Sequence, residues 1–278
     1  MVDLSERRIS YPKLTALFVI AFLIPLFLAR NFSDVFSPPI REDINPKDKI
    51  FPAATKITKS GQYFEITNHE SLDPSSEKDF LFVFWYRLAG PLEPGEVVPI
   101  VSKVDERSKF KRGFAVSIKG EDTAKARILV YWRDSEGNGN WYSFSEMQLK
   151  PRVWSMIAVS FYNQRVLGAH RIERTFADEV SKIVLGGFDI EEHVLPRSSS
   201  SLAIGAISPG GFRGWLGPFG IFQVRDLERD LSGILDEFGK EPRQIPSRFA
   251  DANVMLWAPN GAQDLSPKKH EVLLRGVR

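Results

Sequence analysis

Three groups of residues have types and spacings that could do chemistry. The run Asp134-Ser-Glu136-Gly-Asn138-Gly139 places side-chain oxygens at alternate positions before glycine, as in the first half of a calcium loop. The position where such a loop needs its bidentate carboxylate holds Ser145, and Glu146 falls one residue beyond it. Calcium at Asp134, Glu136 and Asn138 is therefore weighed against a plain hairpin tip, because strand-like segments flank the run on both sides. A second group, Lys103, Arg107, Lys109, Lys111 and Arg112, makes a basic loop between two strand-like segments. Lys109, Lys111 and Arg112 are its binding candidates, toward acidic lipid headgroups or an acidic protein surface, weighed against a plain solvated loop. The third group is Phe212, Trp215, Phe219 and Phe222, set among closely spaced glycines. Rings on such a rim can stack on a sugar or dock a protein. Phe219 and Phe222 are expected in the core, and Trp215 and Phe212 are the binding candidates.

Catalytic signals are missing. Glu191 and Glu192 are adjacent, so on a strand they would point to opposite faces and could not share one substrate. His69, His170, His193 and His270 are scattered without metal-ligand spacing. There are no cysteines, which removes disulfides, thiolate metal sites and Cys-bound clusters. Nucleophile elbows, phosphate loops and dinucleotide fingerprints are absent. The net charge of +2 and the lack of a binding motif argue against nucleic acid. The expectation is a protein that is not an enzyme and holds no cofactor other than the weighed calcium.

Hydropathy divides the 278 residues into an anchor and a domain. Residues 14–29 read LTALFVIAFLIPLFLA, bracketed by Lys13 and Arg30. As a helix this run spans roughly 24 Å, somewhat less than the ~30 Å hydrocarbon core of a bilayer. Snorkelling of Lys13 and Arg30 extends it. Phe27 at the −3 position before Ala29 is wrong for signal cleavage, so the segment reads as an uncleaved signal-anchor. Arg7, Arg8 and Lys13 place the N-terminus in the cytoplasm and the bulk of the chain in the periplasm or another extracytoplasmic space. Pro25 kinks or ends the helix, while Ala16, Ala21 and Ala29 offer small residues for close approach by neighbouring membrane helices. The expected organisation is a cytoplasmic N-terminus at 1–13, one transmembrane helix at 14–30, a Pro-rich linker at 31–55, a β domain at 56–258 and a C-terminal tail at 259–278.

Within the domain, short apolar runs recur between turn residues. Strands are expected at 62–67, 79–88, 99–103, 113–119, 126–133, 141–147, 153–162, 165–172, 201–205, 220–225 and 254–257, with one helix at 231–238. The run DFLFVFWYRL at 79–88 is apolar on both faces, as for an inner strand covered on both sides. This spacing predicts an antiparallel β-sandwich.

The order of motifs resembles the concanavalin A-like jelly roll in its laminin-G-like form, over roughly residues 61 to 238. The similarity is carried by Phe82-Val-Phe-Trp-Tyr-Arg87, by Ile100-Val-Ser-Lys103 followed by Gly113-Phe-Ala-Val-Ser-Ile118, and by Trp154-Ser-Met-Ile-Ala-Val-Ser-Phe-Tyr162. Leu202-Ala-Ile-Gly205 and Phe212-Arg-Gly-Trp-Leu-Gly follow in the same order. Two departures, Leu216-Gly217-Pro218 and Leu167-Gly168-Ala169-His170, fall where an ordinary family calcium or glycan site would be expected. The E-x-D-x-x-E run of glycosidases on this fold, whose carboxylates would share one cleft, is missing. The expected function is a non-catalytic, membrane-anchored accessory subunit whose external sandwich braces a larger integral membrane complex, photosynthetic or respiratory. A membrane-tethered carbohydrate-binding module is the alternative, and a glycoside hydrolase stands third.

Overall fold

A computed structural model describes residues 54–148, 153–163, 165–174, 180–190, 194–205, 212–240, 254–256, 264 and 266–276. The anchor segment with Ala16, Ala21, Pro25 and Ala29, most of the linker, and Glu191, Glu192 and His193 lie outside the described residues. Among the described residues no helix is long and apolar enough to cross a membrane.

The strands in chain order are β1 (Thr55–Ile57), β2 (Tyr63–Ile66), β3 (Asp79–Leu88), β4 (Val97–Val104), β5 (Gly113–Asp122), β6 (Lys125–Arg133), β7 (Gly139–Ser143) and β8 (Met147–Gln148). They continue with β9 (Ser155–Tyr162), β10 (Val166–Arg174), β11 (Val180–Asp189), β12 (Leu202–Gly205), β13 (Gly214–Val224), β14 (Val254–Leu256) and β15 (Val272–Arg275), with helix α1 (Leu227–Lys240) after β13. All pairings are antiparallel and form two sheets. The first sheet runs β1-β13-β3-β9-β10-β11, with β14 also on β13; the second runs β15-β2-β12-β4-β5-β6-β7, with β8 also on β6. The domain is a β-sandwich.

Strand alternation puts two separate apolar sets on the first sheet. Phe80, Phe82, Phe84 and Tyr86 of β3 face the second sheet and meet Phe114, Val116, Val130 and Trp132 in the inter-sheet core. Leu81, Val83 and Trp85 face outward, where Leu227, Leu231, Ile234, Leu235 and Phe238 of α1 cover them. Strand β3 is thus buried on both faces, as its composition predicts. The helix begins where the Leu227 N–H donates to Asp79 Oδ2 (2.8 Å), so a carboxylate from β3 caps a free N–H of its first turn.

Several expectations change. Strand β13 begins at Gly214, earlier than the expected 220, and α1 begins at Leu227, earlier than the expected 231. Strand β11 was not expected at all, because VSKIVLGGFD breaks its alternation at Gly186 and Gly187. The tail expected at 259–278 is not separate from the sandwich: β15 pairs with β2 along Val272–Arg275 and forms an edge of the second sheet. Phe212 is not on a rim; it is fully buried in the inter-sheet core.

Lys103 is also displaced from its expected place in the basic loop. A register shift between Pro99 and Val101 puts Ile100 and Val101 both inside and turns Lys103 inward. Its ammonium donates to Asp73 Oδ1 (2.7 Å) and to the Ser198 carbonyl (2.6 Å) and is fully buried. Burial pushes the ammonium below its ordinary value of 10.5, while the bond to Asp73 opposes that shift.

Candidate functional site

The same register shift builds a groove on the outer face of the second sheet. With Ile100, Val101 and Lys103 turned inward, Val97, Pro99, Ser102 and Val104 of β4 turn outward. Strand β5 contributes Ala115 and Ser117, β6 contributes Tyr131 and β7 contributes Trp141. Glu106 and Lys111 stand over one end, and the cavity is about 450 Å³. Ladder pairing puts Ala203, Ser102, Ala115, Tyr131 and Trp141 in one row across five strands. Three small residues are therefore followed by two aromatic ones. The small side chains leave a trough, and the rings make its wall.

The wall is ordered from below and above. The Tyr131 and Trp141 rings lie 5.0 Å apart at 53°. The Tyr131 hydroxyl donates to the Lys111 carbonyl (2.8 Å), which holds the 105–112 loop over the groove. Phe110 of that loop packs so closely on Gly137 that a Cβ there would lie 2.8 Å from its ring, and Gly137 itself has φ of +95°. Trp141 remains 49% exposed on top of this assembly. A half-exposed Trp beside a trough of small polar and apolar residues has the make-up of a ligand site.

The sequence candidates distribute unevenly around it. Lys111 lies at the groove, with its ammonium 3.1 Å from Glu106 Oε2. Arg112 faces Asp105 at 3.7 Å, and the Lys109 ammonium sits 4.7 Å from the centroid of the Phe110 ring. The loop thus pairs part of its positive charge with its own carboxylates. Trp215 is remote from the groove, on the outer face of the first sheet beside the α1 cluster. There the Arg87 guanidinium lies 5.0 Å from its ring centroid and the Lys56 ammonium 5.7 Å.

Asp134 is occupied by the hairpin between β6 and β7. Its Oδ1 accepts the N–H groups of Glu136, Gly137 and Asn138, each at 2.9 Å, and its Oδ2 accepts the Asn138 side-chain amide at 3.0 Å. This side chain mimics a backbone turn and closes the tip. Among the described residues no three His, Asp or Glu side chains are grouped to hold a metal ion. His170 stands in β10, whereas His69 and His270 meet edge to face at 5.2 Å.

Trp141 and Tyr131 carry a signal that sequence reasoning passed over. Counting back across the Asp134–Asn138 turn sets them opposite each other on one sheet face, where Trp132 and Tyr142 flank them from the other.

No family model matches the chain, and no curated protein matches it. Among solved structures, the chain is similar to a heptameric SAP-like pentraxin from Limulus polyphemus at 10% identity, over 62% of this chain and 73% of that one, with a TM-score of 0.39. It is similar to the binding domain of botulinum neurotoxin serotype D at 10% identity, over 68% of this chain and 43% of that one, with a TM-score of 0.45. An alginate lyase from Alteromonas sp. 272 matches at 13% identity, over 56% of this chain and 59% of that one, with a TM-score of 0.31. The chain spans less than half of the neurotoxin chain and less than two thirds of the lyase.

Proposed function

We propose that the chain is a carbohydrate-binding module of the concanavalin A-like, laminin-G-like kind, tethered to a membrane by residues 14–30, whose groove binds sugar without cleaving it. The observation that carries this reading is the row Ser102–Ala115–Tyr131–Trp141, a trough of small residues ending on a half-exposed indole. A pyranose has an apolar C–H face and a hydroxyl edge. The indole of Trp141 suits the face, while Ser102, Glu106 and Lys111 supply acceptors and donors for the edge. Among the described residues Glu106 is the one carboxylate lining the groove, and glycoside hydrolysis works through a pair.

The test is binding by the full-length chain in detergent, read on a panel of neutral and acidic oligosaccharides. Trp141→Ala is expected to weaken the best binder by about 2 kcal/mol, roughly thirtyfold in Kd, the scale of a Trp at the centre of a binding surface. Ala115→Phe, which fills the trough, is expected to abolish binding. Equal binding by all three proteins would sink the reading, as would a panel on which the unaltered chain binds nothing.

The bracing-subunit reading keeps one supporting observation. Strand β11 ends the first sheet's strand order among the described residues, and its Val184 is 66% exposed beside Ile183 and Phe188. An open apolar edge of this kind can take an added strand from another protein. Stoichiometric co-purification with a membrane complex, lost on Val184→Lys, would support it.

A further inference from the structure

We propose that Ser71 is an activated nucleophile that takes the acyl group of small carboxylic esters, with His270 as its base and Asp264 as the positioning residue behind it. The site is independent of the groove and lies toward the opposite edge of the same sheet, where β2 meets β15.

Ser71 is held in line with Asp264 and His270, a pair six residues apart and distant from it in sequence. Ser71 Oγ lies 2.8 Å from His270 Nε2, and His270 Nδ1 lies 2.7 Å from Asp264 Oδ2. The Asp264 side chain is fully buried and that of His270 is 5% exposed. Asp264 cannot turn away. Its Oδ1 accepts the Ser266 N–H, and its Oδ2 accepts the Ser266 hydroxyl and the His270 N–H, each at 2.9 Å. A carboxylate fixed against Nδ1 holds the proton on that nitrogen, which leaves the Nε2 lone pair aimed at the serine hydroxyl. The backbone fixes the separation. Ser71 stands in a 3-10 turn, Glu70–Leu72, after β2, and His270 precedes β15, while β2 and β15 are paired through Ile66 and Val272.

A second imidazole touches the same hydroxyl, since His69 Nδ1 is 2.8 Å from Ser71 Oγ. That nitrogen also accepts the Ser71 N–H at 3.1 Å, so it presents a lone pair. The hydroxyl has one hydrogen, so it donates to one ring at a time, and the reactive arrangement is the one in which it points to His270 Nε2. His270 is the one whose resulting positive charge meets a buried carboxylate, and His69 is exposed.

In the acylation step Ser71 Oγ bonds to the ester carbonyl carbon and its proton passes to His270 Nε2. The bond from carbonyl carbon to alkoxy oxygen then breaks, and the alcohol leaves with that proton. Water attacks the acyl-serine, again giving its proton to His270, and the carboxylic acid departs as Ser71 recovers its hydrogen. The Ser71 N–H is held by His69 Nδ1 and the Leu72 N–H by the His69 carbonyl. Neither is free for an oxyanion, and losing such a donor lowers turnover by roughly a hundredfold or more. Activated substrates are therefore expected to react first.

The full-length chain would be treated with a fluorophosphonate probe and digested for mass spectrometry. The adduct is expected on Ser71 in preference to the exposed serines. It should fall more than tenfold in His270→Gln and vanish on denaturation. With p-nitrophenyl acetate, Asp264→Asn should lower kcat with KM unchanged, a split that mere loosening of β15 would not give. An unlabelled Ser71 in the unaltered protein would overturn the proposal whatever the variants do. So would labelling of folded His270→Gln at the original rate.

Discussion

Asp73→Asn will cost about 3–5 kcal/mol of stability at pH 7, the usual loss when one partner of a buried ion pair is removed. The Lys103 side chain is fully buried and that of Asp73 is 12% exposed, so solvent can do little to replace the lost carboxylate. The loss has a ceiling. Once charge becomes too expensive, Lys103 can shed its proton, and neutralising an amine of ordinary value 10.5 at pH 7 costs about 4.8 kcal/mol. Lys103→Met leaves Asp73 with the Ser198 N–H at 3.2 Å and strips the Ser198 carbonyl of its ammonium donor, a smaller loss. Replacing both, as Asp73→Leu with Lys103→Met, should recover most of the difference. The pH dependence has a definite sign. Burial lowers the folded-state value of Lys103 below 10.5, so between that lowered value and 10.5 the unfolded chain binds more protons. This group therefore makes stability rise with pH across the window. The rise should disappear in Lys103→Met. It should extend to lower pH in Asp73→Asn, because the opposing bond is gone. Urea unfolding at a series of pH values checks all three; a cost below about 1 kcal/mol for Asp73→Asn at pH 7 would show that the pair does not hold this end of the sandwich.

Lys103 also shows where the sequence stops being readable. Composition placed it with Arg107 and Lys109 in a loop, because alternation along β4 predicts the wrong face once a register shift intervenes. The shift is a property of β4 against β5, and neither strand announces it alone. Phe212 failed for a related reason. Its glycine neighbours read as a flexible rim, whereas packing between the sheets claimed the ring. Strands with strong local patterns were legible: β3 for its two apolar faces, and β6 with β7 for the turn between them. Strand β15 was not, since four residues at the end of the chain gain a partner only when β2 is already in place. The groove was half legible, because Tyr131 and Trp141 face each other across a recognisable hairpin. Its floor depends on β4, and the Ser71–His270–Asp264 line depends on β15, so both required long-range pairing.

Trp132→Ala will cost about 3–5 kcal/mol, the range for truncating a buried Trp, and on a domain of this size that lowers Tm by roughly 6–20 °C. Trp132 is fully buried, with its ring centroid 4.9 Å from that of Phe161 and 6.2 Å from those of Phe80 and Phe114. Its indole N–H donates to the Val194 carbonyl at 2.9 Å, so truncation removes both packing and a buried bond. Trp132→Phe separates the two, keeping a ring and losing the bond, and should cost about 1–3 kcal/mol less than the alanine variant. Strand β6 links this core to the groove, because Trp132 points inward and its neighbour Tyr131 points outward. A cavity under β6 draws in its lining, and part of that lining is the strand that also carries the wall of the trough. Trp132→Ala should therefore weaken oligosaccharide binding as well as stability. Trp141→Ala, half exposed on β7, should weaken binding with less than about 1 kcal/mol of stability lost, as for a side chain outside the core. If Trp132→Ala lowered stability by its full amount and left oligosaccharide affinity unchanged in the folded protein, the groove wall would not depend on the core beneath it.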